Sequence, residues 1–241
     1  MATPSSRPRP TGPAPAGART ASPAPRSTAT RRLLSREERQ ASILRAAATA
    51  FARAGFAATS MEDVAAEAGI TKLIVYRHFD SKEDLYKAVL AGVSDRLREE
   101  FLAGLHQRAV ERSGFTVRSI LTVARENPDG FRLLTVHAAR EPQFTAALVE
   151  FRDRGVALAD GLLADMIPDP VVKAWATRTI VDYLVQGVNA WLDVGDAGRD
   201  DEFVALATSG LRGMVLPWVD EGRLPDHLRS ARGEVRGPTS F

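Results

Sequence analysis

The stretch Thr59–Lys82, with the sequence TSMEDVAAEAGITKLIVYRHFDSK, decides the fold of this chain. Thr59 and Glu62 have the spacing of a capping box, which predicts a helix that begins near Ser60. Apolar residues then recur at helical spacing until Gly69, a residue that can end a helix in the left-handed conformation. The sequence therefore predicts a short helix followed by a tight turn.

A second short helix follows that turn. Thr71 is its candidate N-cap, and the helix is predicted over 72–79. Ser81, with Asp84 three positions later, is the predicted cap of a third helix. Two short helices joined by a glycine-containing turn are typical of a helix-turn-helix unit, whose second helix can lie in the major groove of DNA.

The second short helix has one face rich in polar and aromatic groups. Val75 and Phe79 are four residues apart and share a face with Ile70, so we expect them to point inward. The outward candidates are Thr71, Lys72, Leu73, Tyr76, Arg77 and His78. Cationic, hydroxyl and aromatic groups can bind phosphate oxygens and base edges together. An ordinary solvated helix also has a charged face, and the helix alone leaves both interpretations open.

The surrounding sequence resembles the DNA-binding domain of the TetR family of transcriptional regulators. FARAGF (51–56), ATSMEDVAAEAGI (58–70) and TKLIVYRHFDSKEDLY (71–86) match that domain in order and spacing. The resemblance covers about residues 36–90, roughly a quarter of the chain. It implies a homodimeric, all-helical repressor or activator with a small-molecule pocket in its C-terminal domain.

The same resemblance implies roles for individual residues. Ser60, Tyr76 and Lys82 would bind phosphates, while Lys72, Leu73 and Arg77 would face bases, with Thr71 and His78 as further base-facing candidates. Lys82 lies at a helix N-terminus, where a cation is unfavourable unless an anion is near. Many family members have a small residue followed by threonine where this chain has Leu73 and Ile74. We therefore expect an uncommon base preference that includes contacts to thymine methyls.

Composition narrows the class of protein. The chain has 241 residues, of which 44% are hydrophobic and 26% are charged, as in ordinary globular proteins. It contains no cysteine, which excludes disulfides and thiolate chemistry. No apolar run approaches the ~20 residues that a membrane span needs, and the N-terminus lacks the apolar core of a secretory signal. We expect a cytoplasmic protein without a membrane partner.

Charge, composition and the family resemblance together predict four segments. Residues 1–32 carry six arginines and no acid, so we expect a disordered basic tail that binds phosphates or only improves solubility. Residues 33–80, where cations and acids balance, form the predicted DNA-binding domain. Residues 81–221 form the predicted ligand-binding and dimerisation domain, and residues 222–241 a flexible tail.

The C-terminal half has the pattern of further helices separated by proline and glycine. Helical spacing is found over 115–125, 130–140 and 144–167, then over two long segments at 171–193 and 200–216. The two-residue alternation of strands is absent, so the sequence predicts an all-α fold.

The last two long segments are apolar and rich in small residues such as Gly210 and Gly213. Two antiparallel helices of this kind can pair with their copies in a four-helix interface, or they can simply fill the core of one subunit. The family resemblance favours the homodimer through 171–193 and 200–216.

No catalytic, cofactor or metal-binding motif stands out in the sequence, so we expect neither an enzyme nor a cofactor. His137 lies beside Arg140 and Glu141, where a structural histidine is the simpler interpretation. Six aromatic residues could line an apolar cavity or belong to the core, namely Phe115, Phe131, Phe144, Phe151, Trp175 and Tyr183. The alternatives to a ligand-responsive repressor are an architectural DNA-binding protein and a helical enzyme on a reused fold.

Overall fold

The computed structural model describes residues 35–106 and 114–219, and every regular element within these ranges is helical. The α-helices are α1 (Arg36–Ala58), α2 (Met61–Glu67), α3 (Lys72–Tyr76), α4 (Lys82–His106), α5 (Phe115–Glu126), α6 (Pro128–Arg132), α7 (Thr145–Leu163), α8 (Pro170–Val194) and α9 (Asp200–Val215). The predicted all-α class is confirmed. The predicted tails 1–32 and 222–241 lie outside the described residues, and the domain boundaries at 80 and 81 stay a prediction.

Helix α1 begins with a capping box and is interrupted near its C-terminal end. The Ser35 hydroxyl accepts a hydrogen bond from the Glu38 backbone amide at 3.1 Å, and the Glu38 carboxylate accepts one from the Ser35 amide at 2.7 Å. This reciprocal pair satisfies two of the amide groups that a helix start leaves unpaired. Gly55 interrupts the regular helix with a φ of 79°, a backbone conformation that residues other than glycine rarely adopt.

The capping box of α2 lies one residue later than predicted. Ser60 is the N-cap, and its partner is Asp63 rather than Glu62. Thr59 is instead buried, and its hydroxyl donates to the Gly55 carbonyl at 2.7 Å. The prediction from Thr59 and Glu62 was therefore wrong in register, because two successive hydroxyl residues each have an acid three positions later.

Helix α3 is shorter than the predicted range 72–79. Gly69 takes a φ of 63° in the turn before it, as predicted. The helix proper ends at Tyr76, after which the Arg77 amide is shared between the Leu73 and Ile74 carbonyls and the His78 amide donates to the Val75 carbonyl, three residues earlier. The last turn is thus wound more tightly than an α-helix.

Helix α4 begins after Ser81, whose hydroxyl accepts a hydrogen bond from the Asp84 amide at 3.0 Å, so this predicted cap is confirmed. Because α4 then runs for 25 residues, it reaches from the helix-turn-helix unit to the C-terminal helices.

The segment predicted as one helix over 130–140 instead consists of an α-helical, a π-helical and a 3₁₀ turn in succession. Helix α6 continues as a π-helical turn at Leu133–His137 and a 3₁₀ turn at Ala138–Arg140. Inside this segment the buried Thr135 hydroxyl donates to the Phe131 carbonyl at 2.7 Å. The same hydroxyl accepts a hydrogen bond from the side-chain amide of Asn189 on α8 at 3.0 Å. This buried polar contact fixes the irregular segment to α8.

A continuous hydrophobic core extends from α1 to α9. One part of it is a cluster of four aromatic rings, which we call the aromatic cluster and which consists of Phe51, Phe56, Tyr86 and Phe144. Phe144 belongs to the 3₁₀ turn Pro142–Phe144 before α7, and the other three rings come from α1 and α4. None of the described helices is long and apolar enough to cross a membrane.

Candidate functional site

Helix α3 presents an exposed face that includes large apolar groups. Val75 and Phe79 are buried, as the spacing predicts. Leu73 is 63% exposed and Tyr76 is 43% exposed. Because buried side chains anchor the inner face of α3, the exposed Leu73 and Tyr76 of its outer face are available to a binding partner.

Two polar residues of this face have side chains that make no hydrogen bond or ion pair with the described residues. Thr71 has N-cap backbone geometry, but its hydroxyl makes no capping hydrogen bond. The exposed Arg77 guanidinium follows the last helical residue of α3, with its five donors unused by the described part of the chain. His78 is half-buried, with its ring centroid 6.4 Å from that of Phe79.

Lys72 is held by two neighbours on the same face. Its ammonium donates to the carboxylate of Glu62 at the start of α2 and lies 5.5 Å from the ring centroid of Tyr76. The hydrogen bond from Lys72 lowers the pKa of Glu62, and the same bond raises the pKa of Lys72. Glu62 is thus a member of the candidate interface that sequence reasoning missed.

The Ser60 hydroxyl is occupied within its own helix. It accepts from the Asp63 amide at 3.1 Å and donates to the Asp63 carboxylate at 2.7 Å, and this side-chain bond lowers the pKa of Asp63. The Ser60 side chain is partly exposed, so one remaining lone pair of its oxygen is free to accept.

The Lys82 ammonium is hydrogen-bonded within the protein, although its position at a helix N-terminus indicated an anion as its partner. Its ammonium donates to the Phe56 carbonyl at 2.8 Å and to the Ala57 carbonyl at 3.2 Å. It also lies 4.5 Å from the Phe56 ring centroid. These contacts fix the start of α4 to the end of α1, and the third ammonium hydrogen remains for a further acceptor.

A second candidate site is a cavity of about 600 Å³ among the helices that follow α3. Of the six predicted aromatic residues, Phe115 and Phe151 line it. Phe131 and Phe144 are instead fully buried in the core.

The other two predicted aromatic residues also lie away from this cavity. Trp175 is 51% exposed and packs against Trp218 with ring centroids 4.5 Å apart. Tyr183 lines a smaller neighbouring pocket, and its hydroxyl donates to the Ala207 carbonyl on α9 at 3.0 Å. Sequence reasoning missed Arg154, Leu158 and Leu162 of the larger cavity, although their four-residue spacing on α7 was a usable signal.

Helices α8 and α9 pack side by side in antiparallel orientation. Trp191, near the end of α8, stacks on Phe203, near the start of α9, while Trp175 and Trp218 meet at the other end of the pair. Gly210 permits the close approach, because a Cβ atom there would lie 2.5 Å from the Tyr183 hydroxyl oxygen. Leu206 on α9 remains 64% exposed.

His137 is half-buried near two arginines. Burial lowers its pKa most, and the charges of Arg140 and Arg132 lower the pKa further, which favours the neutral form of the ring. Within residues 35–106 and 114–219, no three histidine, aspartate or glutamate side chains are placed to hold a metal ion.

The helix-turn-helix segment has relatives of known name. Residues 43–89 match the family described as bacterial regulatory proteins, tetR family. The HTH-type transcriptional activator FasR of Mycolicibacterium smegmatis is 32% identical over 116 residues, which cover 47% of this chain and 53% of FasR. The HTH-type transcriptional repressor Rv3405c of Mycobacterium tuberculosis is 41% identical over 83 residues, which cover 33% of this chain and 44% of the relative. The matched stretch thus spans about half the length of these curated relatives.

Similarity in fold extends beyond that stretch. A TetR-like transcriptional regulator from Rhodococcus sp. RHA1 superimposes with a TM-score of 0.62 at 23% identity. The superposition covers 76% of this chain and 100% of the other. The helices that follow the helix-turn-helix segment therefore share the fold of that regulator as well.

Proposed function

We propose that this chain, whose residues 43–89 match the tetR family of bacterial regulatory proteins, is a sequence-specific DNA-binding repressor of transcription. In this proposal it acts in the cytoplasm as a homodimer on a pseudo-palindromic operator. A small molecule in the cavity beside α4 releases it from the operator.

The observation that carries the proposal is the outer face of α3. Leu73, Tyr76 and Arg77 are exposed there, while Val75 and Phe79 anchor the helix from within. A short helix fixed on one side and bare on the other can enter a major groove with its side chains against base edges.

Different side chains have different tasks in this proposal. Arg77 donates two hydrogen bonds to one guanine, and Leu73 contacts a thymine methyl. Lys72, Thr71 and His78 face neighbouring bases. Tyr76, Ser60 and Lys82 bind backbone phosphates and fix the register of the helix on the duplex.

Dimerisation follows from the limited reach of one helix. Five-residue α3 can read only a few base pairs, so a second copy related by two-fold symmetry doubles the sequence that is read. Helices α8 and α9 are the proposed interface, supported by their antiparallel packing and by exposed apolar side chains such as Leu206.

Release by a ligand depends on α4. Its first residue, Lys82, is bonded to the end of α1, and Leu97 and Phe101 further along α4 line the cavity. A ligand that prefers one position of α4 therefore shifts the spacing of the two α3 helices in a dimer. When the ligand saturates the protein, operator affinity falls at most by the ratio of the ligand's affinities for the two arrangements of the dimer, the one that cannot bind the operator and the one that can.

The test is selection of bound fragments from randomised double-stranded DNA by the purified protein at near-physiological salt. Enrichment of a pseudo-palindrome supports the proposal. Binding without enrichment supports an architectural DNA-binding protein, because phosphate attraction alone carries no sequence information. Absence of any binding would contradict both and favour a reused helical fold.

A further inference from the structure

The cavity beside α4 has a lining that is almost entirely apolar. Its walls come from α4, α5, α7, α8 and α9, and they include the aromatic side chains of Phe101, Phe115 and Phe151 together with many aliphatic ones. A volume of about 600 Å³ is within the range of pockets that enclose small organic ligands. This lining favours a ligand with a large apolar part.

The charged groups of the lining all have the same sign. Arg98, Arg154 and Arg212 contribute to it, whereas no aspartate or glutamate is among the described residues that line the cavity. Arg98 and Arg154 are exposed to solvent, so they lie where the cavity opens. The carboxylates nearest to Arg154 and Arg98, those of Glu150 and Asp95, lie outside the lining, so the charged groups that face the cavity favour anions over cations.

Arg154 and Arg98 retain hydrogen-bond donors for a ligand. Arg154 donates to the Ser94 hydroxyl at 3.0 Å and to the Glu150 carboxylate, which uses two of its five N–H groups. Arg98 lies 3.8 Å from Asp95, a distance too long for a hydrogen bond. Planar guanidinium groups with unused donors bind carboxylates in a bidentate manner.

A hydroxyl in the lining is also without a partner. The Thr208 hydroxyl oxygen is buried and makes no hydrogen bond within the described part of the chain. Buried polar groups are nearly always paired, so an unpaired one in a cavity wall indicates a missing ligand or water. This hydroxyl can donate to a polar atom of a bound molecule.

We propose that the cavity binds an elongated apolar molecule with one anionic head group, of which a medium-chain carboxylate is the simplest case. Arg154 and Arg98 bind the head group at the opening, and the chain fills the space between α5, α7 and α8. That this molecule also controls DNA binding rests on the proposed function, whereas the ligand class rests on the cavity alone.

The test compares three probes with the same ten-carbon chain and different head groups: decanoate, decanol and decyltrimethylammonium. Their affinities for the full-length protein are measured by calorimetry without DNA. We expect decanoate to bind roughly tenfold more tightly than decanol, as hydrogen bonds to a charged group imply, and decyltrimethylammonium to bind most weakly. Equal affinities, or tighter binding of the ammonium probe, would overturn the proposal.

Two matched variants locate the head group. Arg154→Gln should weaken decanoate roughly five- to tenfold and leave decanol unchanged, because only the carboxylate uses the guanidinium. Arg152→Gln is the control, since Arg152 is on the same helix but pairs with Asp182 outside the cavity. Equal effects of both variants on decanoate would show that general positive charge, and not the cavity, attracts the probe.

The failure of the ligand class and the failure of the proposed function are distinguishable. Selective binding of decanoate with no change in operator affinity would support the ligand class and contradict ligand release. Release of the operator by decanol or the ammonium probe, without a preference for decanoate, would contradict the ligand class but would still support a ligand-controlled repressor.

Discussion

The ring of Phe144 stacks on the ring of Tyr86, with centroids 4.1 Å apart and planes inclined by 23°. Phe144 directly precedes α7, whose later turns line the cavity, while Tyr86 lies in the second turn of α4, close to the helix-turn-helix unit. Both rings also contact Phe56 at the end of α1. The aromatic cluster therefore joins a wall of the cavity to the support of α3.

Phe144→Leu should weaken operator binding severalfold, because the cluster holds the angle between α1 and α4 on which the placement of α3 depends. The smaller side chain should also lower the free energy of unfolding by about 1–2 kcal/mol. Urea unfolding and titration of the selected operator measure the two effects. Phe131→Leu is the control, since Phe131 is equally buried but makes no ring contact with the cluster. Equal losses of operator affinity in both variants would refute a specific role of Phe144.

Burial raises the pKa of Tyr86 to about 12, and the nearby Glu141 contributes. Because the pKa is higher in the folded chain than the value near 10 of an unfolded one, this tyrosine stabilises the fold fully below pH 10. That stabilisation is lost as the pH rises from 10 to 12 and amounts to about 2–3 kcal/mol. Urea unfolding at several pH values should show this loss in the wild type and a smaller one in Tyr86→Phe. Identical pH dependence in the two proteins would contradict the assignment.

Leu206→Glu should convert the proposed dimer into a monomer, because it places a charge on the exposed apolar face of α9. Sedimentation of the purified protein over a range of concentrations measures the association. Val149→Glu makes the same change at an exposed position of α7, which lies outside the proposed interface, and should leave the dimer intact. A dimer that persists in Leu206→Glu would show that the subunits associate elsewhere.

Glu62→Gln should raise affinity for random DNA, because it frees the ammonium of Lys72, which can bind a phosphate where its proposed base partner is absent. Each added phosphate contact makes the logarithm of the binding constant fall more steeply with the logarithm of salt concentration, by about 0.9. Glu83→Gln removes a similar charge and frees Lys87 on α4, so it serves as the control. If both variants steepened the salt dependence equally, the pairing of Lys72 with Glu62 would have no special effect on DNA binding.

Local features of the fold could be predicted from the sequence because their causes are local. The cap of α1 depends on Ser35 and Glu38, three residues apart, and the inward face of α3 depends on the spacing of Val75 and Phe79. The start of α2 was misassigned by one residue because Thr59 fits the same pattern as Ser60. Only the burial of Thr59 against α1 distinguishes the two.

Features that depend on how helices pack could not be predicted. Lys72 and Glu62 are ten residues apart on two helices, and their contact exists only once the intervening turn is formed. Phe144 and Phe151 are alike in sequence pattern. Phe144 lies in the turn before α7 and Phe151 on α7 itself, and their places in the core and in the cavity are set by how this segment packs against its neighbours, which a single sequence does not contain.

The central claim is that α3 reads bases, and the most direct measurement repeats the selection from randomised DNA with Arg77→Ala. The account predicts a motif with the same half-site spacing but with relaxed preference at one position of each half-site. It also predicts a loss of about 1–3 kcal/mol of binding free energy per half-site at that base pair. An unchanged motif that is bound uniformly more weakly would mean that Arg77 contacts phosphate, which would contradict the claim.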